Sequence, residues 1–286
     1  MGRFRCSGGI MVFLGALFWS LNSPLVKFLT LNALLICGLR SVIAAVALLP
    51  TIRPKQLRWN GWMLMYVCSY AGLCVSVILA LSLTSAPVAV GMQYTATIWL
   101  FLLGLVQKKP FTLRAFFPVL VISLGVVCFM CSGTDGASQA GNLIALAEGV
   151  FFACLTVSSK RAAGTNPLGL TALANAFTGM LVFLLFPSAL SGLAEMTAVE
   201  WAMMLVLGVI QVGLGYGCYN IGVQQVSAQK ASVIALWEMI LGPLWVALFL
   251  KEYPNFMVMA GLCIILLGMV MDTVFSAQGQ ESKIPS

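Results

Sequence analysis

Residues Phe18–Lys27 read FWSLNSPLVK, and 133 positions later residues Phe151–Lys160 read FFACLTVSSK. Each stretch lies in a long apolar run, and each closes on a lysine. Two more likenesses follow in the same order. Gly72–Ala86 (GLCVSVILALSLTSA) is similar to Gly213–Ala228 (GLGYGCYNIGVQQVSA), and Leu124-Gly125-Val126 is similar to Leu267-Gly268-Met269. Drift between apolar sequences can produce one such match, but three collinear matches are harder to produce by drift. The chain therefore divides into two halves, 8–132 and 141–275, joined by a linker over 133–140. Residues 1–7 precede the first half, and a polar tail over 276–286 follows the second.

Composition says what medium these halves occupy. Of 286 residues, 61% are hydrophobic and 8% charged, against roughly 25% charged in an ordinary soluble domain. That is too little charge to cover a water-facing surface, so a polytopic membrane protein is expected. A helix needs about 20 apolar residues to cross the hydrocarbon core. Breaks at charges, Pro, Gly and polar clusters give ten such spans, at 8–29, 33–50, 61–82, 86–107, 114–132, 141–159, 168–189, 200–223, 229–249 and 254–275. The second is short, which suggests a peripheral or tilted helix. Pro50 and Pro187 read as span ends. The fold class expected is an all-α membrane protein of two five-helix repeats. Because five is odd, the second repeat enters the membrane from the opposite side, an inverted arrangement that many secondary transporters use.

Charge orients the bundle. Of 15 Lys and Arg, 12 (Arg3, Arg5, Arg53, Lys55, Arg58, Lys108, Lys109, Arg114, Lys160, Arg161, Lys230 and Lys283) fall on one side, and only Lys251 lies in a loop on the other. Lys27 and Arg40 lie within spans. Positive loops stay inside, so both termini are expected in the cytoplasm and the protein in the cytoplasmic (inner) membrane. The acidic residues Asp135, Glu195, Glu200 and Glu252 mostly fall outside. The same asymmetry accounts for the net charge of +7 without a nucleic-acid partner.

Several chemistries are excluded or disfavoured. The chain has no histidine, which removes His-based acid–base catalysis and most zinc sites. Eight of the nine cysteines lie in apolar stretches. The close pair Cys128 and Cys131 has no second pair, so these read as packing residues. No GxxxxGK[ST] loop is present, so ATP does not drive the protein directly. An intramembrane enzyme would need a nucleophile with a base or a metal cluster, and neither is evident. No enzyme activity and no cofactor are expected.

Ionisable groups inside a bilayer are costly, so they face a cavity or one another. Four qualify: Lys27, Arg40, Glu148 and Glu238. Glu238 lies near the midplane in span 9. It can bind a substrate ammonium, carry a coupling proton, or sit protonated and hydrogen-bonded to backbone. Glu148 lies at similar depth in span 6, where the repeat counterpart is Gly15, so fold symmetry does not require the charge. An ion pair with Arg40 at matching depth in span 2 is the competing structural reading. Arg40 otherwise pairs or snorkels, and Lys27 snorkels to the outer interface; either can instead attract a substrate carboxylate. Polar and aromatic candidates cluster on particular spans: Trp19, Ser20, Asn22 and Ser23 before Pro24 in span 1, Gln93, Tyr94, Thr95 and Thr97 in span 4, Gln211, Tyr216, Tyr219 and Asn220 among Gly213, Gly215 and Gly217 in span 8, and Trp237 in span 9. Pro24 removes a helix hydrogen bond mid-span, and broken helices are where transporters bind. Trp19, Gln93, Tyr94, Tyr216 and Trp237 are expected to line a cavity, with Asn22, Tyr219 and Asn220 beside them.

Ala231-Ser232-Val233-Ile234-Ala235-Leu236-Trp237-Glu238, then Leu248-Phe249-Leu250-Lys251-Glu252, then Gly261 and Leu266-Leu267-Gly268, resemble the motif order of the EamA family in the drug/metabolite transporter superfamily. Leu39-Arg40 and Thr84-Ser85-Ala86 echo it in the first half. Two positions depart: Met239 stands where the family usually has Pro after the Glu, with Pro243 four residues on, and Lys109 stands where many members close span 4 with Glu. The resemblance implies ten helices around a cavity lined mainly from spans 1, 3, 4, 6, 8 and 9. It also implies export of amino acids or other small metabolites. A secondary active or facilitative exporter working by alternating access is expected, with a proton as candidate coupling ion; an importer or exchanger of the same fold is the alternative. The partners are then a small-molecule substrate and the lipid bilayer, and the protein is a monomer or homodimer.

Overall fold

The computed structural model describes residues 7–53, 59–108, 110–132, 138–161, 166–223, 225–226 and 228–281. Arg3, Arg5, Lys55, Arg58, Lys109, Asp135 and Lys283 lie outside the described residues, as do the ends of both tails and most of the 133–140 linker.

Among the described residues, ten helical segments are long and apolar enough to cross a membrane: Gly8–Phe28, Ala33–Thr51, Gly61–Leu83, Ala86–Val106, Leu113–Cys131, Gln139–Ser159, Pro167–Leu185, Ala198–Gly222, Val233–Leu250 and Phe256–Phe275. These are spans 1 to 10. Hydrocarbon offers the backbone no hydrogen-bond partners, so apolar runs of this length must satisfy themselves as helices. Several starts are fixed by side-chain caps. Asn32, Asn60 and Asn166 accept from the backbone N–H of Leu34, Met63 and Leu168. Thr197 and Glu200 form a reciprocal capping box at the start of span 8. Each cap satisfies donors the helix itself leaves free.

Loop contacts show the spans alternating in direction. On one face, Lys27 pairs with Glu252 at 3.0 Å, Thr84 donates to Asn142 at 2.6 Å, and Ser138 N–H donates to Leu83 O at 2.9 Å. On the opposite face, Asn166 donates to Thr51 O and the Arg161 guanidinium stacks 4.3 Å from the Trp62 ring centroid. The first face is the one the charge distribution assigns to the outside.

Packing follows a reciprocal scheme. Span 1 lies on span 8 and span 3 on span 6; span 1 lies on span 9 and span 4 on span 6; span 2 lies on span 7 and span 5 on span 10. Exchanging each span for the one five places later maps this set onto itself. The close contacts reciprocate at single-residue level. Gly38 packs on Phe183 while Gly179 packs on Val42, and Gly125 packs on Ile265 while Gly268 packs on Ile122. Rising numbers on one helix meet falling numbers on the other, so these equivalent spans run antiparallel. At the bundle periphery Gly8 meets Gln225 and Gly141 meets Leu83. These glycines let backbones approach where a Cβ would collide, the small-residue packing that membrane helices favour.

The structure refines several expectations. Span 7 ends at Leu185, four residues early, because Pro187 opens a 3-10 segment running to Glu195. The last helix continues through Glu281 rather than stopping near 275. Span 2 is short but not peripheral. Leu35 to Ser41 are consecutively buried, because the span is clasped by spans 3, 7 and 8.

Four spans are interrupted. Span 1 breaks at Leu21, three residues before Pro24. Span 4 tightens at Tyr94 and Thr95, and span 9 at Leu236; in both, N–H groups bond three residues back instead of four. Span 8 widens into a π-helix over Val206–Leu214, a geometry frequent at functional positions. The breaks of spans 4 and 9 occupy equivalent places in the two halves, 142 residues apart.

Candidate functional site

Interrupting spans 4 and 9 at equivalent points brings two side chains to the middle of the bundle. Tyr94 lies in the first break. Glu238 follows the second by two residues. The Tyr94 hydroxyl donates to Glu238 Oε2 at 3.5 Å, a long contact. Tyr219 and Tyr216 of span 8 also come within electrostatic reach of Glu238. Glu148 of span 6 faces the same place. It is completely buried (0% exposed), its charged neighbour is Glu238, and neither of its carboxyl oxygens has a hydrogen-bond partner among the described residues. Gly149, next in sequence, packs on the Thr95 hydroxyl at the span 4 break, which fixes the register of span 6 against that break. Two carboxyl groups thus converge with one weak phenol donor and no cation within ion-pair distance among the described residues.

An aromatic row leads away from the acids. Trp19 lies 4.8 Å from Tyr219 and 5.0 Å from Tyr216, centroid to centroid. Tyr216 lies 6.2 Å from Tyr70, and Tyr70 stacks 6.3 Å from Tyr66. The Tyr70 hydroxyl accepts from Asn175 Nδ2 at 2.8 Å. Gly215 sits against the Trp19 ring, so the lack of a side chain there is what lets the indole lie between spans 1 and 8.

Arg40 closes the far end of the row. Its Nη1 donates to Asn22 Oδ1 at 2.6 Å, and its charge reaches Cys37, Tyr70 and Cys74. The ion pair with Glu148 that matching depth suggested is not formed. Arg40 faces spans 1 and 3, whereas Glu148 faces spans 4 and 9. The break at Leu21 begins the short helix Asn22–Phe28, which carries Asn22 to the guanidinium. Lys27 does not simply snorkel, since Glu252 holds it.

The remaining candidates are more dispersed. Gln93 and Asn220 are half-buried. Trp237 is 45% exposed and meets the ring of Phe13 edge-on at 5.9 Å. Tyr70 and Asn175 belong to the row but escaped the sequence reading. The i, i+4 pair Tyr66 and Tyr70 on one helical face, and an Asn inside the apolar run of span 7, were the available signals. The row with its two charged ends draws on spans 1, 3, 4, 6, 8 and 9, plus Arg40 from span 2 and Asn175 from span 7.

On the face that carries the Lys27–Glu252 pair a cleft of about 250 Å³ opens, lined in part by Thr84, Ser85, Asn142, Pro243, Glu252 and Asn255. Asn142 is six residues above Glu148 and Pro243 five above Glu238, so the acids lie about 8–9 Å below its floor at 1.5 Å per residue.

Residues 139–273 match the EamA-like transporter family. No curated protein matches the chain significantly. A crystal structure with 17% sequence identity superposes with a TM-score of 0.63, covering 96% of this chain and 98% of its own; at that identity the likeness concerns the fold.

Proposed function

Since residues 139–273 match the EamA-like transporter family, we propose that the protein is a membrane transporter that exports small organic metabolites, amino acids or related compounds, across the cytoplasmic membrane. It works by alternating access of two inverted repeats, 8–132 and 141–275, with both termini in the cytoplasm. The observation that carries the reading is the convergence of the fully buried Glu148 and the partly buried Glu238, with no counter-cation within ion-pair distance among the described residues, at the paired breaks of spans 4 and 9.

Two carboxylates side by side in a low-dielectric interior repel strongly, and each alone is costly to bury. The arrangement is relieved when a proton or a substrate ammonium arrives. A site that accepts either, never both at full charge, links proton movement to substrate movement. Breaks in spans 1, 4 and 9 supply the points at which half-helices can pivot, and the aromatic row gives an organic body a surface to lie on.

The test compares metabolites inside and outside cells that overproduce the protein with cells producing Glu238→Gln. A solute that falls inside and rises outside only with the wild-type protein establishes export, names the substrate and ties Glu238 to transport. A solute that instead accumulates inside with the wild-type protein replaces export by import. If no solute responds in cells or in liposomes loaded with the cellular metabolite extract, the reading fails.

A further inference from the structure

The acids account for one end of the row and leave Arg40 without a function. Its side chain is buried, at 4% exposure, so it does not snorkel. No carboxylate lies within 4.0 Å of it among the described residues. Of the five N–H donors a guanidinium carries, one meets the neutral Asn22 amide, and Nε is buried with no partner. Cys74 also takes a hydrogen bond from the guanidinium, but it and the neighbouring Tyr70 are neutral side chains and leave the charge uncompensated. Removing one partner from a buried ion pair is strongly destabilising because the remaining charge is uncompensated; here the fold itself leaves the charge in that condition.

We propose that Arg40, oriented by Asn22, is the oxyanion-binding end of the transport site, taking a carboxylate or comparable small oxyanion of the substrate. This rests on the transport reading above and adds to it a substrate class. The transported molecule carries an anionic group at the Arg40 end and an apolar or aromatic body along Trp19, Tyr216 and Tyr70. Its cationic group, where it has one, lies at Glu238. The Asn22–Arg40 contact has two parts. The amide oxygen occupies one Nη position and fixes the plane of the fork, while its neutrality leaves the positive charge free for a ligand. A carboxylate in place of Asn22 would hold the fork as well but cancel that charge.

The prediction is tested on the purified full-length protein with two probes that share a ring and differ in charge, benzoate and benzylamine, by titrating tryptophan fluorescence and thermal stability. Wild-type protein is expected to bind both. Asn22→Asp keeps the oxygen Arg40 already contacts and supplies the counter-charge, so the fold is retained. Loss of a charge-assisted contact should raise the half-saturating benzoate concentration about tenfold or more, with benzylamine changed less than about twofold. Arg40→Gln should act in the same direction, and Glu238→Gln should weaken benzylamine and spare benzoate. Benzoate binding that is absent in the wild-type protein, or equally tight in Asn22→Asp and wild type, overturns the proposal. The two readings fail separately. Export that depends on Glu238 but shows no Arg40-dependent benzoate binding leaves the transporter and removes the anion end. Absence of export together with intact, Arg40-dependent benzoate binding removes the transporter and leaves a binding site.

Discussion

The two halves of the bundle agree in backbone and disagree in charge. Span 4 and span 9 break at equivalent residues, Tyr94 and Leu236. Both then close on a lysine in the left-handed region, Lys108 at φ 57° and Lys251 at φ 55°. The glycine contacts reciprocate between spans 2 and 7 and between spans 5 and 10. The side chains that matter electrically do not reciprocate. Glu148 occupies the place that Gly15 holds in the first half. Lys27 pairs with Glu252, while the positions equivalent by sequence, Lys160 and Lys109, are both cationic. Symmetric packing lets a molecule have two conformations of similar energy. Asymmetric charge is what can make one direction of travel differ from the other. Packing and charge are therefore separable, and each can be perturbed without the other.

The largest effect should come from the unmatched acids. Glu148→Gln removes a charge with no counterpart in the first half and changes little in volume. Export measured across an imposed pH gradient should fall by at least about tenfold, which corresponds to about 1.4 kcal/mol, and should lose its response to the gradient. Glu238→Gln should do the same. If both variants follow the gradient as the wild-type protein does, the acids carry no proton and the charge asymmetry has another purpose.

Packing comes next, and there the halves should respond alike. A Cβ on Gly38 would meet the Phe183 ring, and one on Gly179 would meet Val42. Gly38→Val and Gly179→Val should each destabilise the protein by about 1–3 kcal/mol, the usual range for overpacking. Thermal melting in detergent would read this. A large loss in one variant with none in the other would mean the reciprocity is superficial.

What could be read from sequence follows the same division. Span number was legible because apolar length reports it directly, and the alternation of the spans because each loop returns the chain to the other face. The meeting of Glu148 and Glu238 was legible too, since counting residues at about 1.5 Å each places both at similar depth. Rotation about the helix axis was not. A helix that is apolar all round gives no contrast between faces, and each residue turns the face by about 100°. That is why the competing reading of an Arg40–Glu148 pair could not be decided from the sequence, and the structure pairs Arg40 with Asn22 instead. The break at Leu236 was equally hidden, because Ala235-Leu236-Trp237 contains neither Pro nor Gly; only its equivalence to Tyr94 makes it intelligible. Span 7 overran in the reading because Pro187 was counted as the final residues of a helix rather than as the start of a 3-10 segment.

The outer ion pair is a smaller, graded effect. The Lys27 side chain is mostly buried and that of Glu252 is half exposed, so solvent screening keeps the pair within about 1 kcal/mol. It joins the end of span 1 to the end of span 9, beside the outer cleft. Glu252→Gln should speed labelling of a cysteine placed at Ser85 in that cleft by up to about fivefold, with high salt giving the wild-type protein part of the same gain. The charge exchange Lys27→Glu with Glu252→Lys should restore the slower labelling. Failure of the exchange to restore it would show that the side chains act through packing and not through charge.

The smallest effect distinguishes backbone symmetry from side-chain symmetry most cleanly. Lys108 and Lys251 adopt a conformation that favours glycine, because a Cβ there crowds the following carbonyl. Replacing either with glycine relieves that crowding while adding freedom to the unfolded chain, so the gain is about 1 kcal/mol at most. The two positions lie on opposite faces of the membrane and in different charge surroundings. Lys251 neighbours the paired Glu252, and Lys108 precedes a second lysine. If backbone geometry alone governs them, Lys108→Gly and Lys251→Gly should raise the melting temperature by equal amounts. If Lys251→Gly gains less, the lysine charge near the outer ion pair was itself contributing, and the electrical asymmetry of the two halves extends to the ends of the spans as well as to their centre.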